Sequence, residues 1–130
     1  MLDYIRIACA VPAVKVGEVR KNTEDVCAYM AKADAQNVDI VVFPELCLTG
    51  YTCGDLFFQR TLLSGAEAGI MKITDFTRGK DITVIAGVPV TYRGRLYDCA
   101  VVIRNGNIKG IVPKTSLSAE EGRWFASGAD

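Results

Sequence analysis

The stretch VDIVVFPELCLTGYTCG, residues 38–54, decides how the rest of the chain is interpreted. Its first part, residues 38–43, is rich in β-branched side chains and is bounded by Asn37 and Pro44. Because both of its faces are apolar, this run predicts a central strand of a sheet that is covered on both sides. Residues 44–54 then contain a proline and two glycines, which predicts an irregular segment where the chain leaves the sheet.

The residues before this strand predict a strand–helix–strand unit. Residues 4–11 are rich in Ile, Val and Ala and predict a strand buried on both faces. Residues 18–36 carry apolar side chains at three- and four-residue steps, which predicts an amphipathic helix. Asn37 follows, a residue that tolerates the left-handed conformation at a helix end. Two strands joined by such a helix are expected to lie parallel.

The residues after it predict a second helix and then a β-meander. Residues 62–80 have a helical pattern, and residues 82–90 and 96–104 are strand-like, with a turn at Arg93-Gly94 between them. Asn105-Gly106 is a strong hairpin signal, and residues 107–112 are predicted to form the strand that runs back alongside residues 96–104. We therefore predict an α/β fold with a mixed sheet, helices on at least one face, and one domain without an internal boundary over residues 1–130. The last residues have turn-like composition, but Trp124 and Phe125 are expected to pack against something.

Composition excludes several classes of function. The chain has 15 basic and 15 acidic side chains and a pI near 6.3, which argues against a nucleic-acid-binding protein. It contains no histidine, so every Ser-His, Cys-His and histidine-metal arrangement is excluded within these residues. No apolar run approaches the roughly 20 residues of a membrane span. The five cysteines lack CxxC spacing and a secretion signal is absent, so we expect reduced thiols, no metal site and a cytoplasmic protein.

Two ionisable residues follow predicted strands. Glu45 comes after residues 38–43 and Pro44, and Lys114 comes after the strand that ends at Pro113. Residues just beyond the carboxyl ends of strands line the ligand crevice of open α/β sheets. We expect partial burial to raise the pKa of Glu45, which suits a general base, and Lys114 could stabilise an oxyanion. The alternative is a locally paired Glu45 and a solvated Lys114.

Two segments and the order of the strands carry a family resemblance. VVFPELCLTGY (residues 41–51), RNGNIKGIVPKT (residues 104–115) and the overall strand order resemble the nitrilase superfamily of carbon–nitrogen hydrolases. The resemblance implies an α-β-β-α sandwich, of which this chain would form roughly the first half. It also implies that Glu45 is the general base and that Lys114 stabilises the oxyanion. Glu121 would be a second, supporting glutamate, although the adjacent Glu120 leaves that assignment open.

A narrower resemblance rests on LTGYTCGDLFFQ (residues 48–59) and RWFASG (residues 123–128). Both are similar to the N-terminal amidase domain of the glutamine-dependent NAD synthetases. This implies glutamine as substrate, Tyr51 as a residue of the glutamine pocket, and no cofactor for the amidase step. It further implies a synthetase domain using ATP and magnesium elsewhere in the full-length chain, and a homo-oligomer. The alternative for Tyr51 is a packing aromatic in a loop.

The family nucleophile is a cysteine beyond the lysine segment, and no cysteine follows Cys99. We interpret Cys9, Cys27 and Cys99 as core residues and Cys53 as a loop residue that is a candidate for exposure. Cys47 lies two residues from Glu45 and is a candidate nucleophile by position, but it lies within the glutamate signature, where the family commonly has a small or apolar residue. The resemblance therefore implies the N-terminal part of an amidase domain that is inactive alone. The alternatives are another amidase or carbamoylase of the superfamily, or a non-catalytic binding or assembly module. A flavodoxin-like protein is disfavoured because residues 11–18 lack a glycine-rich phosphate loop.

Overall fold

The computed structural model describes residues 4–130, and these form one five-stranded sheet covered by two helices. The elements follow in this order along the chain: β1 (Ile7–Cys9), α1 (Val19–Ala35), β2 (Ile40–Val42), a 3₁₀ turn (Gly54–Phe58), α2 (Arg60–Phe76), β3 (Thr83–Tyr92), β4 (Arg95–Arg104), β5 (Asn107–Pro113) and a second 3₁₀ turn (Glu121–Arg123). Neither described helix has both the length and the apolar character needed to cross a bilayer.

The sheet is mixed, as the sequence predicts. Its spatial order is β1-β2-β3-β4-β5; β1, β2 and β3 run parallel, and β4 is antiparallel to both of its neighbours. As a result β5 runs in the same direction as β2, and the carboxyl ends of these two strands lie at the same edge. The Asn105-Gly106 hairpin is confirmed, with φ of 45° and 75°, because a two-residue turn of this type requires positive φ at both positions.

Both helices pack on one face of the sheet, where the core lies. Cross-strand neighbours share a face, so the pairs Val84–Ile103 and Ala86–Val101 point to the same side. All four side chains are at most 1% exposed and belong to the same cluster as Met30 of α1. Further buried members of that cluster are Val26, Val41, Ala66 and Ile73. Burial of this apolar surface supplies most of the driving force for folding.

The prediction that the first strand is buried on both faces is wrong. Tyr4, Ile5 and Ile7 are 59–65% exposed, and Cys9 is exposed as well. The physical reason is position: Ala8 aligns with the buried Val41, so Ile7 and Cys9 point to the face opposite the helices, and β1 is also an edge strand that pairs only with β2. An apolar sequence pattern cannot distinguish an edge strand from a central one.

The aromatic pair near the end of the chain packs against the first 3₁₀ turn. The ring of Phe57 lies 4.8 Å from that of Phe125 and 6.1 Å from that of Trp124, centroid to centroid. The Trp124 indole N–H also donates to Asp55 Oδ1 at 3.3 Å. The two segments that carry the narrower sequence resemblance are therefore in direct contact, which confirms that the pair packs against another element.

Candidate active site

Glu45 lies in a tight turn directly after β2. Leu46, the next residue, has a φ of 51° in the left-handed region, which is unusual for a bulky side chain. The Gly50 N–H donates to the Leu46 carbonyl at 2.8 Å and closes the turn, while the Leu46 side chain is fully buried. Burial and hydrogen bonding on either side thus fix the backbone that carries Glu45.

This turn rests on Gly87 of β3. A Cβ atom at Gly87 would clash with the backbone nitrogen of Leu46 and would lie 2.7 Å from the Pro44 carbonyl oxygen. Gly87 alternates with the core residues Ala86 and Val88, so the contact lies on the face of the sheet opposite the helices. Only glycine at this position lets the Glu45 turn approach the sheet so closely.

Lys114 lies at the same edge of the sheet as Glu45, but it follows β5, which is separated from β2 by two strands. Its backbone N–H donates to the Asp98 carbonyl of β4 at 2.8 Å. Its ammonium nitrogen lies 2.7 Å from Glu45 Oε1 and 2.8 Å from Glu121 Oε2. The structure therefore brings Glu45, Lys114 and Glu121 together in one hydrogen-bonded group. These contacts raise the pKa of Lys114, with the hydrogen bond to Glu121 as the largest contribution, and they outweigh burial, which lowers it.

Glu121, and not Glu120, is the glutamate that contacts Lys114. Its side chain is 7% exposed, whereas Glu120 is exposed. Its Oε1 accepts from the Ser118 backbone N–H at 2.8 Å. The hydrogen bond from Lys114, followed by that from Ser118, lowers the pKa of Glu121 to about 2, so the carboxylate is ionised across the neutral range.

Tyr51 contacts Glu121 through its hydroxyl group. The phenol donates to Glu121 Oε2 at 2.9 Å, and this hydrogen bond is the largest cause of the raised pKa of Tyr51. The residue remains 47% exposed. Tyr51 is thus joined to the charged group, and its ring leaves a large surface open to solvent.

The expected direction of the Glu45 pKa is wrong. The pKa of Glu45 is lowered, first by a hydrogen bond with Asp98 and then by Lys114, and these contacts outweigh the opposing effect of burial. The Glu45 side chain is 38% exposed, which explains why burial is the weaker influence. The carboxylate is therefore ionised near neutral pH.

Asp98 is the residue of this site that the sequence analysis missed. It lies in β4, is 4% exposed, and pairs in register with Pro89 on the face opposite the helices. The signal was present, since Asp98 interrupts the otherwise apolar strand LYDCAVVI, and a buried carboxyl group is rare without a partner. The carboxylate oxygens of Glu45, Asp98 and Glu121 lie within 4.8 Å of one another.

These three carboxylates have the donor atoms that a divalent cation prefers. However, the Lys114 ammonium group already donates to Glu45 and Glu121 at 2.7 and 2.8 Å. The Lys114 ammonium group lies between two of the carboxylates. It supplies the positive charge that a metal ion would otherwise bring there.

The cysteines that the site could recruit are poorly suited to attack. Cys47, two residues from Glu45, is 1% exposed, its Sγ lies 3.6 Å from the Gly87 carbonyl oxygen, and burial raises its pKa to about 11. Burial also raises the pKa of Cys27, Cys53 and Cys99, the last to about 11. A nucleophilic thiol needs a lowered pKa instead.

Two of the sequence predictions for the cysteines are wrong. Cys53, a candidate for exposure, is only 6% exposed, and Cys9, predicted to be a core residue, is exposed.

Comparison with known proteins identifies the family of the chain. The family model for carbon-nitrogen hydrolases matches residues 6–126. Two relatives are glutamine-dependent NAD(+) synthetases: that of Mycobacterium leprae is 30% identical over 98% of this chain and 19% of its own length, and that of Xanthomonas campestris is 36% identical over 93% and 22%. The crystal structure of the glutamine-dependent NAD(+) synthetase from Cytophaga hutchinsonii superimposes with a TM-score of 0.89 at 32% identity, covering 95% of this chain and 22% of that one.

The chain thus spans about a fifth of the length of the synthetases that it matches. The family match extends over nearly all of the described residues and includes both Glu45 and Lys114. The mixed sheet with two helices is the nitrilase-like α/β fold that the sequence resemblance implies. On this evidence, the chain belongs to the carbon–nitrogen hydrolase family.

Proposed function

We propose that this chain forms part of a glutamine amidase, which hydrolyses the side-chain amide of glutamine and supplies ammonia for the synthesis of NAD. The observation that carries the proposal is the contact of the Lys114 ammonium group with both Glu45 and Glu121. The names of the Mycobacterium leprae and Xanthomonas campestris relatives support glutamine as substrate. The family match supports hydrolysis of a carbon–nitrogen bond.

In this proposal Glu45 accepts and returns the proton. The ionised carboxylate takes the proton of a cysteine thiol, and the thiolate sulfur attacks the amide carbon of glutamine. Lys114 stabilises the negative charge that develops on the amide oxygen. The carbon–nitrogen bond then breaks, and ammonia leaves with the proton returned by Glu45. Water, deprotonated by the same carboxylate, cleaves the thioester to give glutamate and the free thiol.

Glu121 and Tyr51 support this arrangement. Glu121 receives hydrogen bonds from Lys114, Ser118 and Tyr51, so its charge fixes the position of the ammonium group. The exposed part of the Tyr51 ring is available to line the glutamine pocket. None of the five cysteines is assigned as the nucleophile, because the thiol nearest in sequence to Glu45, Cys47, is buried with a raised pKa.

The proposal needs no cofactor for the amidase step, since proton transfer and oxyanion stabilisation use side chains of the protein. ATP and magnesium would serve a synthetase domain of the natural protein, which is the partner that consumes the ammonia. Self-association as a homo-oligomer and a cytoplasmic location, with all cysteines reduced, complete the proposal. Neither a nucleic acid nor a membrane is among the proposed partners.

Ammonia release from glutamine tests this proposal in the natural protein that carries this sequence. Glu45→Gln and Lys114→Met should each lower kcat by at least about a thousandfold, because each removes a charged group from the transition state. Glu67→Gln on α2 and Lys109→Met on β5 are matched controls, since both side chains are exposed and away from the site. Near-normal turnover by either site variant removes that residue from its role.

A panel of other amides distinguishes the related alternatives. Faster hydrolysis of simple aliphatic amides or carbamoyl compounds than of glutamine would indicate another amidase or carbamoylase of the family. Absence of hydrolysis of every substrate by the natural protein would instead support a non-catalytic binding or assembly module.

A further inference from the structure

Asp98 is a buried acid for which the proposed chemistry has no use. Its Oδ2 atom is buried and has no hydrogen-bond partner among residues 4–130. A buried polar atom without a partner is costly, and such atoms are rare in folded proteins. The nearest chemical explanation is the neighbouring carboxylate of Glu45.

Two ionised carboxylates cannot form a hydrogen bond, because both groups only accept. If one of them carries a proton, a single O–H donor satisfies both. The groups that face Asp98 are Glu45 from the turn after β2, Lys114 at the end of β5, and Glu121 from the second 3₁₀ turn. With Asp98 ionised, three negative charges would face one positive charge in a partly buried group.

The proton belongs on Asp98 rather than on Glu45. The Glu45 side chain is 38% exposed and accepts a hydrogen bond from the Lys114 ammonium group at 2.7 Å, and both features favour its ionised form. Asp98 is 4% exposed, and among residues 4–130 no Lys or Arg side chain donates a hydrogen bond to its carboxyl group. Burial and the adjacent Glu45 carboxylate raise the pKa of Asp98 to about 8.

We propose that Asp98 is a positioning residue, which as a neutral carboxylic acid donates a hydrogen bond to the Glu45 carboxylate. Together with Lys114 it holds Glu45 from two sides, in the ionised form and in one orientation. This inference rests on the proposed function of Glu45 as a proton acceptor. It also predicts an effect of pH, because loss of the Asp98 proton breaks the hydrogen bond and places a second negative charge beside Glu45.

The rate–pH profile of glutamine hydrolysis tests the positioning role. The natural protein should lose activity above about pH 8. Asp98→Asn donates an N–H and cannot ionise, so it should retain activity within about threefold near pH 7 and shift the alkaline loss to higher pH by at least about one unit. Asp98→Ala, which has no donor, should lower kcat by about ten- to a hundredfold. Equal losses in the two variants, or an unchanged alkaline limb in Asp98→Asn, would overturn the proposal.

A titration of the carboxyl group gives an answer that does not depend on turnover. In the natural protein labelled with ¹³C-aspartate, the signal removed by Asp98→Asn should titrate near pH 8, and Glu45→Gln should lower that midpoint. Asp75→Asn, which changes an exposed aspartate of α2, is the control and should leave the Asp98 signal and its midpoint unchanged.

A midpoint for Asp98 below about 5 would show an ionised residue at neutral pH and overturn the inference. If the natural protein hydrolyses no glutamine but Asp98 titrates near pH 8, the proposed function fails while the shared proton stands. If glutamine is hydrolysed and Asp98 titrates normally, only the positioning role fails.

Discussion

The Lys114 ammonium nitrogen lies 2.7 Å from Glu45 Oε1, although the two residues are 69 positions apart in the chain. The contact exists because β2 and β5 run in the same direction and end at the same edge of the sheet. Two further strands lie between them, so the pair depends on the register of the whole sheet.

The first prediction concerns the close approach at Gly87. Gly87→Ala should lower the free energy of unfolding by about 1–3 kcal/mol, because the new methyl group would displace the turn that carries Glu45. Chemical denaturation measures this change. Gly110→Ala in β5 is the control, since a Cβ atom there would meet no atom within 4 Å. An equal effect of the two substitutions would argue against the close contact.

The second prediction concerns acid stability. The pKa of Glu121 is about 2 in the folded protein against an ordinary value of 4.5, so its ionised form stabilises the fold. This stabilisation is fully present above about pH 4.5 and is lost as the pH falls towards 2. Glu121→Gln should lower the free energy of unfolding near neutral pH by an amount on the order of 2–3 kcal/mol. It should also flatten the decline of that free energy between about pH 4.5 and 2.

Glu120→Gln is the matched control for this measurement, because Glu120 is the adjacent residue and is exposed. Denaturation at a series of pH values should give the same curve for Glu120→Gln as for the parent. A pH-dependence that Glu121→Gln leaves unchanged would show that Glu121 does not hold Lys114 by charge.

The third prediction concerns Tyr51. Tyr51→Phe keeps the ring but loses the hydroxyl group that donates to Glu121 at 2.9 Å. We expect a small loss of stability and, since the residue is proposed to line the pocket, a five- to tenfold rise in KM for glutamine, on the order of one hydrogen bond. Tyr29→Phe on α1 is the control. Loss of stability with an unchanged KM would limit Tyr51 to a structural role.

The fourth prediction concerns the aromatic cluster. Phe57 is 1% exposed and packs on both Trp124 and Phe125. Phe57→Ala should destabilise the protein by about 3–5 kcal/mol, because it leaves a cavity between the two segments. Phe58→Ala, which changes a neighbouring side chain that is 61% exposed, should cost less than about 1 kcal/mol. Thermal or chemical unfolding distinguishes the two variants.

The fifth prediction concerns the nucleophile. The 130-residue chain alone should release no ammonia from glutamine above background, because the pKa of Cys47 is raised to about 11 and its thiol is 1% exposed. Turnover by this chain that Cys47→Ala abolishes, and that Cys27→Ala leaves intact, would contradict the assignment of the thiol to a residue outside these five cysteines.

Much of the fold could be predicted from local pattern. The helix predicted over residues 18–36 is Val19–Ala35, and Asn37 has the expected positive φ of 58°. The second helix ends at Phe76, four residues before its predicted end, and Gly79 follows with a φ of 74°. Periodicity and turn residues encode such elements because they depend on neighbours along the chain. The exposure of Ile7 and Cys9 in β1 could not be predicted, since it depends on which face of the sheet the helices cover.

The sequence by itself determined the order of the elements, the family resemblance, and the positions of Glu45 and Lys114 after their strands. Only the tertiary structure decided that Glu121 rather than Glu120 meets Lys114, that the pKa of Glu45 is lowered rather than raised, and that Asp98 lies beside it. The physical reason is that a pKa and a hydrogen bond depend on distances and burial across the sheet. The hairpin turns set the register of β3, β4 and β5, but those distances also depend on the parallel pairing of β2 with β3, two strands that are separated by a helix in the chain.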